Sequence, residues 1–147
     1  MKKRALVMAG VMALAMFAST RVAQAQQPLI VNVPFEFVAG NKTLPAGEYS
    51  VKVSCAAHTL ALVDRKDASA SALMVTYAVA ANDIQTESKL IFTRYGDHYF
   101  LSQIWTAGNS EGCQLIKSAR EKEIAQVAQV VTQNRVTLVA ELLRTTP

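Results

Sequence analysis

Four side chains in this 147-residue sequence could together hold a metal ion: Cys55, His58, His98 and Cys113, which are all its cysteines and histidines. Cys55-Ala56-Ala57-His58 is a C-x-x-H spacing at a turn, where thiolate and imidazole could converge. With His98 and Cys113 they would complete a Cys2His2 set suited to zinc or copper. The second half of that set lacks close ligand spacing. The same cysteines have two other uses. In an oxidising compartment Cys55 and Cys113 could form a disulfide, stabilising the fold by roughly 3–4 kcal/mol through loop closure. They could also remain two separate buried thiols, and the spacing leaves all three readings open.

Other chemistry is thinner. A hydrolytic triad needs a nucleophile, a base and an orienting group. His58 and His98 are the usual kind of base, and His98 follows Asp97 directly, but that aspartate falls in a hairpin turn. The G-x-S-x-G letters at Gly108 to Gly112 fall in a polar loop and not at a strand-to-helix elbow. No catalytic residue and no cofactor is assigned, and the chain reads as non-enzymatic. Arg94, Tyr95, Tyr99 and Trp105 form an aromatic-basic group around one hairpin. Exposed, such a group could stack on sugars or peptides. The alternative is that the rings are core and Arg94 snorkels at the rim.

These residues lie on a series of short strands. Val31, Val33, Phe35 and Phe37 alternate with polar residues or Pro34, which predicts a half-buried strand, at an edge or bulged because Pro34 cannot donate to a ladder. Ala39 to Lys42 breaks it, and Leu44-Pro45-Ala46-Gly47 fits a type I turn. Tyr49, Val51, Val53 and Cys55 give the clearest alternation. Further strands follow at 58–63, at Leu73, Val75, Tyr77 and Val79, at 89–95 and at 98–105. Gly96-Asp97 suits a type II′ hairpin, which would set Tyr95 opposite His98, Arg94 opposite Tyr99 and Phe92 opposite Leu101. Thr106 to Gln114 reads as a polar loop. Ser118 and Glu121 match a capping box opening a helix near 118–131. Val136 to Leu142 reads as a last strand, or a second helix from Thr137. The expectation is mainly β: an antiparallel sandwich or small barrel of about seven strands with one C-terminal helix, forming a single domain over 26–147.

The N-terminus carries an address. Lys2, Lys3 and Arg4 precede an apolar run from Ala5 to Ala18, and Ala23-Gln24-Ala25 offers a cleavage site, so residues 1–25 read as a signal peptide. The run is too short to span a bilayer, and no membrane span is expected after cleavage. The expected product, Gln26 to Pro147, is an exported protein of the periplasm or exterior. Four of the fifteen basic residues lie in the signal, as do four of the five methionines, and none of the eleven acids does. The remainder is therefore neutral, which disfavours nucleic acid as a partner.

The segments VNVPFEFVAGNKTLPAGEYSV (Val31 to Val51) and KLIFTRYGDHYFLSQIW (Lys89 to Trp105), followed by KSAREKEIA, resemble a group of small exported β-rich proteins of Acidobacteria. The resemblance implies a bacterial exported β-protein and carries no activity. Leu44 to Tyr49 is also similar to the LPxGxY turn of transthyretin-like and Cna-B-like sandwiches. The expected function is that of an exported, non-enzymatic binding or envelope-associated module, with a protein, glycan or apolar small molecule as partner. The alternatives are a small barrel carrying an apolar ligand in its lumen and a Cys/His metal-binding protein.

Overall fold

The computed structural model describes residues 27–127 and 134–142. The expected signal peptide lies outside these residues, as does the last part of the expected helix, 128–131. Ten strands are present: β1 (Leu29–Val33), β2 (Phe37–Ala39), β3 (Lys42–Leu44), β4 (Gly47–Ser54), β5 (Thr59–Asp64), β6 (Ser71–Ala80), β7 (Ser88–Tyr95), β8 (His98–Trp105), β9 (Glu111–Leu115) and β10 (Asn134–Leu142). One helix, α1 (Ala119–Val127), precedes β10. Among the described residues no helix is long and apolar enough to cross a membrane.

The strands make one sheet in the order β3-β2-β8-β7-β10-β1-β4-β5-β6-β9. It rolls up because two long strands change partner midway. β6 changes partner at Thr76, so that 71–75 pairs with β5 and 76–80 with β9. Likewise β10 pairs with β7 along 134–140 and with β1 at its end. Such partner-switching strands form the corners of an orthogonal packing. β9 also pairs with β8 through Gln103↔Gln114, Ile104↔Cys113 and Trp105↔Gly112. The roll still does not close as a barrel. The pairings lead back to their start through β8 and β9, but they leave gaps: residues 71–75 of β6 have β5 alone as neighbour, β1 meets β10 at only two positions, and β2 and β3 branch off β8.

Side chains fill the interior. Phe37, Tyr49 and Phe92 are fully buried with edge-on ring contacts at 5.3 Å, among Leu44, Leu60, Leu62 and Leu90. In β8, the register with β7 skips Ser102, so Leu101 and Ile104, three apart, both face this core. A second, smaller cluster of Val38, Tyr95 and Phe100 lies on the outer face, covered by Ile124 and Ala125 of α1.

The hairpin expected at Gly96-Asp97 is present with all three expected cross-strand pairs. Val136 to Leu142 is the expected last strand. Two expectations need correction. The alternation from Val31 to Phe37 is not one strand: Pro34 interrupts it, and β1 and β2 pair with different neighbours. The expected loop 106–114 contains β9, because the Trp105 ring lies over Gly112 so closely that a Cβ there would come within 2.7 Å of it. The ring supplies the cover that glycine lacks, and a polar, glycine-containing segment becomes a strand.

Candidate functional site

Cys55 and Cys113 form a disulfide, with Cα atoms 5.6 Å apart and 58 residues of separation. Cys55 opens the turn after β4 and Cys113 lies in β9, so the bond ties the two halves of the roll. The Cys2His2 expectation fails on this point, since bonded sulfurs are not thiolate ligands. Among the described residues, moreover, no group of three or more His, Cys, Asp or Glu is gathered for a metal. His58 serves the backbone instead. It takes φ 54°, donates its N–H to Cys55 O at 3.2 Å and accepts from Thr76 N–H at 3.0 Å. His98 is exposed at the β7–β8 turn, opposite Tyr95. Asp97 there is fully exposed and lies 3.9 Å from Arg94 Nη2.

The aromatic-basic group divides, because neighbouring residues on a strand face opposite ways. Arg94 sits 5.4 Å from the Tyr99 ring centre, and Tyr99 stacks on Phe35 at 3.9 Å. Tyr95 points to the other face. There its hydroxyl donates to Glu121 of α1 at 3.3 Å, and Glu121 is 6 % exposed. Burial raises the Glu121 carboxyl above its usual range, and Lys117 and the Tyr95 hydrogen bond oppose that. Ser118 caps the helix, accepting from Glu121 N–H at 3.1 Å, while the Glu121 side chain turns to Tyr95. Trp105 lies at the far end of β8, buried, its indole N–H donating to Gln103 at 3.2 Å. Arg94, Tyr95, Tyr99 and Trp105 thus form no common surface, and Tyr95 and Trp105 are buried, as in the second of the two readings of this group.

The turn before β4 has a structural explanation. Tyr49 is fully buried and its hydroxyl donates to Pro45 O at 2.6 Å. Gly47 lets Asp64 approach: a Cβ there would lie 2.9 Å from Asp64 Oδ2. Asp64 Oδ1 in turn accepts from Lys66 N–H at 2.7 Å. Desolvation first, and Asp64 second, push the Tyr49 hydroxyl up to about 12.

The surface that departs most from expectation is on β6. Its apolar alternation, Leu73, Val75 and Tyr77, faces solvent, with exposures of 77, 63 and 45 %. Met74 and Thr76 are the residues that face inward, and Thr76 Oγ1 is buried without a hydrogen-bond partner. β6 is therefore set with its more apolar face outward, at the cost of an unsatisfied hydroxyl. On β5, Ala61 lies opposite Leu73 and Val63 opposite Ser71, which widens the apolar row.

Beside this row runs a groove of about 720 Å³ between the first half of β6, the β2–β3 turn and the segment joining β9 to α1. Its charged lining residues are Lys42 and Lys117, and no acid lines it. Lys42 Nζ donates to Ser69 O at 3.1 Å and Ser71 O at 2.6 Å, bridging the β2–β3 hairpin to β6. The groove escaped the sequence reading because it joins residues near 40, 73 and 116. One signal was present: a strand whose strongest apolar residues alternate with alanine, methionine and threonine could face either way. No family model matches this chain, and no curated protein or solved structure matches it.

Proposed function

We propose that this protein is an exported, non-enzymatic binding module that engages its partner on the outer face of β6 and the adjoining groove. The observation that carries the reading is the inverted setting of β6, which leaves Leu73, Val75 and Tyr77 in solvent beside a groove. A monomer with no use for that face would gain by turning it inward. The disulfide accords with export to an oxidising compartment, as does the sequence's resemblance to exported proteins of Acidobacteria. The filled interior favours surface binding over the carriage of an apolar ligand in a lumen.

Native mass spectrometry of the protein recovered from a bacterial envelope fraction tests this. The expected mass is that of Gln26 to Pro147 less two protons, without adduct. An uncleaved chain would overturn export. A co-purified lipid released only on unfolding would overturn surface binding in favour of internal carriage.

A further inference from the structure

The edge of β6 that lines the groove is a strand edge without a strand. Asp64 N–H donates to Ala70 O and Thr76 N–H donates to His58 O, both at 3.0 Å. Between these two bonds the even-numbered residues of β6 direct their main-chain groups at β5, and the odd-numbered ones direct theirs into the groove. Ser71 O is taken by Lys42 Nζ. Leu73 N–H, Leu73 C=O and Val75 N–H have no such partner among the described residues, and β9 joins this edge only from Thr76 onward. Across the groove, β3 also lacks a second neighbour.

We infer that the groove takes an extended peptide segment of another protein as an added β-strand on residues 71–75, a segment with alternating apolar residues and a carboxylate. The inference rests on the binding face proposed above. Main-chain donors and an acceptor in a row are matched by another main chain. Leu73, Val75 and Ile116, all exposed and all lining the groove, supply apolar contact for alternate side chains of the added strand. Lys42 and Lys117 are the charged groups of the lining; Asp67 lies near the first, and Glu121 and Tyr95 near the second, but no acid lines the groove itself, which favours a carboxylate there. The recess selects a single chain. The β2–β3 turn and the 116–119 segment flank this edge, and one extended chain needs less clearance between them than a second copy of the whole fold, whose own β6 edge must come within roughly 4.8 Å.

The test uses the exported, disulfide-bonded protein and amide hydrogen exchange. The probe is a pool of acetylated, amidated hexapeptides with Val, Ile or Thr at the inner positions and Asp at both ends. A second pool is N-methylated at alternate residues. In the free protein the Leu73 and Val75 amides exchange rapidly. The first pool, at about 1 mM, slows both by tenfold or more, and the methylated pool binds at least about tenfold more weakly, as the loss of one or more hydrogen bonds requires. Leu73→Pro, which removes an N–H aimed at the groove and spares the β5 ladder, weakens binding by a similar factor. Amides already protected in the free protein, or no protection by the first pool, would overturn the inference. Equal binding of both pools would also overturn strand addition while leaving the β6 face as a binding surface. Protection that rises with protein concentration alone, with a dimer in sedimentation, would replace the peptide with a second copy.

Discussion

At the scale of single residues, the informative groups are buried polar ones. Tyr49 has its hydroxyl pushed up to about 12 from the ordinary 10.0. The folded protein therefore holds that proton more tightly than the unfolded chain. The associated stability is fully present below pH 10 and is lost as pH rises from 10 towards 12, on the order of 2–3 kcal/mol across the window. Tyr49→Phe removes this alkaline loss and also the bond to Pro45, so urea melts at neutral pH fall by about 1 kcal/mol while the slope above pH 10 flattens. Glu121 follows the same sign. Its carboxyl is raised, so helix docking is strongest below the ordinary carboxylate range and weakens as pH rises through the folded value. In Glu121→Gln the Tyr95 environment, followed by fluorescence or NMR, no longer changes across that window. Thr76 differs because its hydroxyl has no partner. Thr76→Val, which keeps the shape, raises stability by about 1 kcal/mol in urea titration.

At the scale of elements, alternation was legible wherever the apolar face of a strand is also its inner face. Tyr49, Val51 and the β7–β8 hairpin were readable for that reason, down to the pairs Arg94↔Tyr99 and Phe92↔Leu101. The capping serine of α1 was readable as well. β2 and β3 were not, since three residues each carry too little pattern. β9 was hidden because its strand character comes from Trp105 lying over Gly112, a contact made across two strands. β6 was found as a strand with its facing hidden, because local alternation does not say which side meets the core. For the cysteines the sequence left a disulfide, a metal site and two separate thiols open, and the groove was not legible at all, its walls being brought together only by the roll. An element-scale prediction follows from the facing of β6. Leu73→Ser and Val75→Ser, at positions 77 and 63 % exposed, each change stability by less than about 0.5 kcal/mol, whereas inward Met74→Ser costs several times more. Equal losses in all three would contradict the assigned facing.

At the scale of the whole molecule, the disulfide and the two corner strands hold the halves of the roll together. A bond closing a separation of 58 residues contributes about 4 kcal/mol in the chain-entropy view. Reduction, or the Cys55→Ser/Cys113→Ser pair, lowers the unfolding free energy from urea titration by that much and leaves the far-ultraviolet spectrum of the folded state unchanged. The corner formed by β10 has a different consequence, one of timing. It is the last described strand, and it lies between β1, the first, and β7. A chain that emerges N-terminus first, from a ribosome or a secretion channel, can assemble β1 to β9 only as an open arc, its two unjoined rims at β1 and β7 exposing main chain to any neighbour. Completion waits for β10 to appear. Until then this protein depends on whatever keeps nascent strands apart, and a stop codon that removed only β10 would leave an adhesive, aggregation-prone arc.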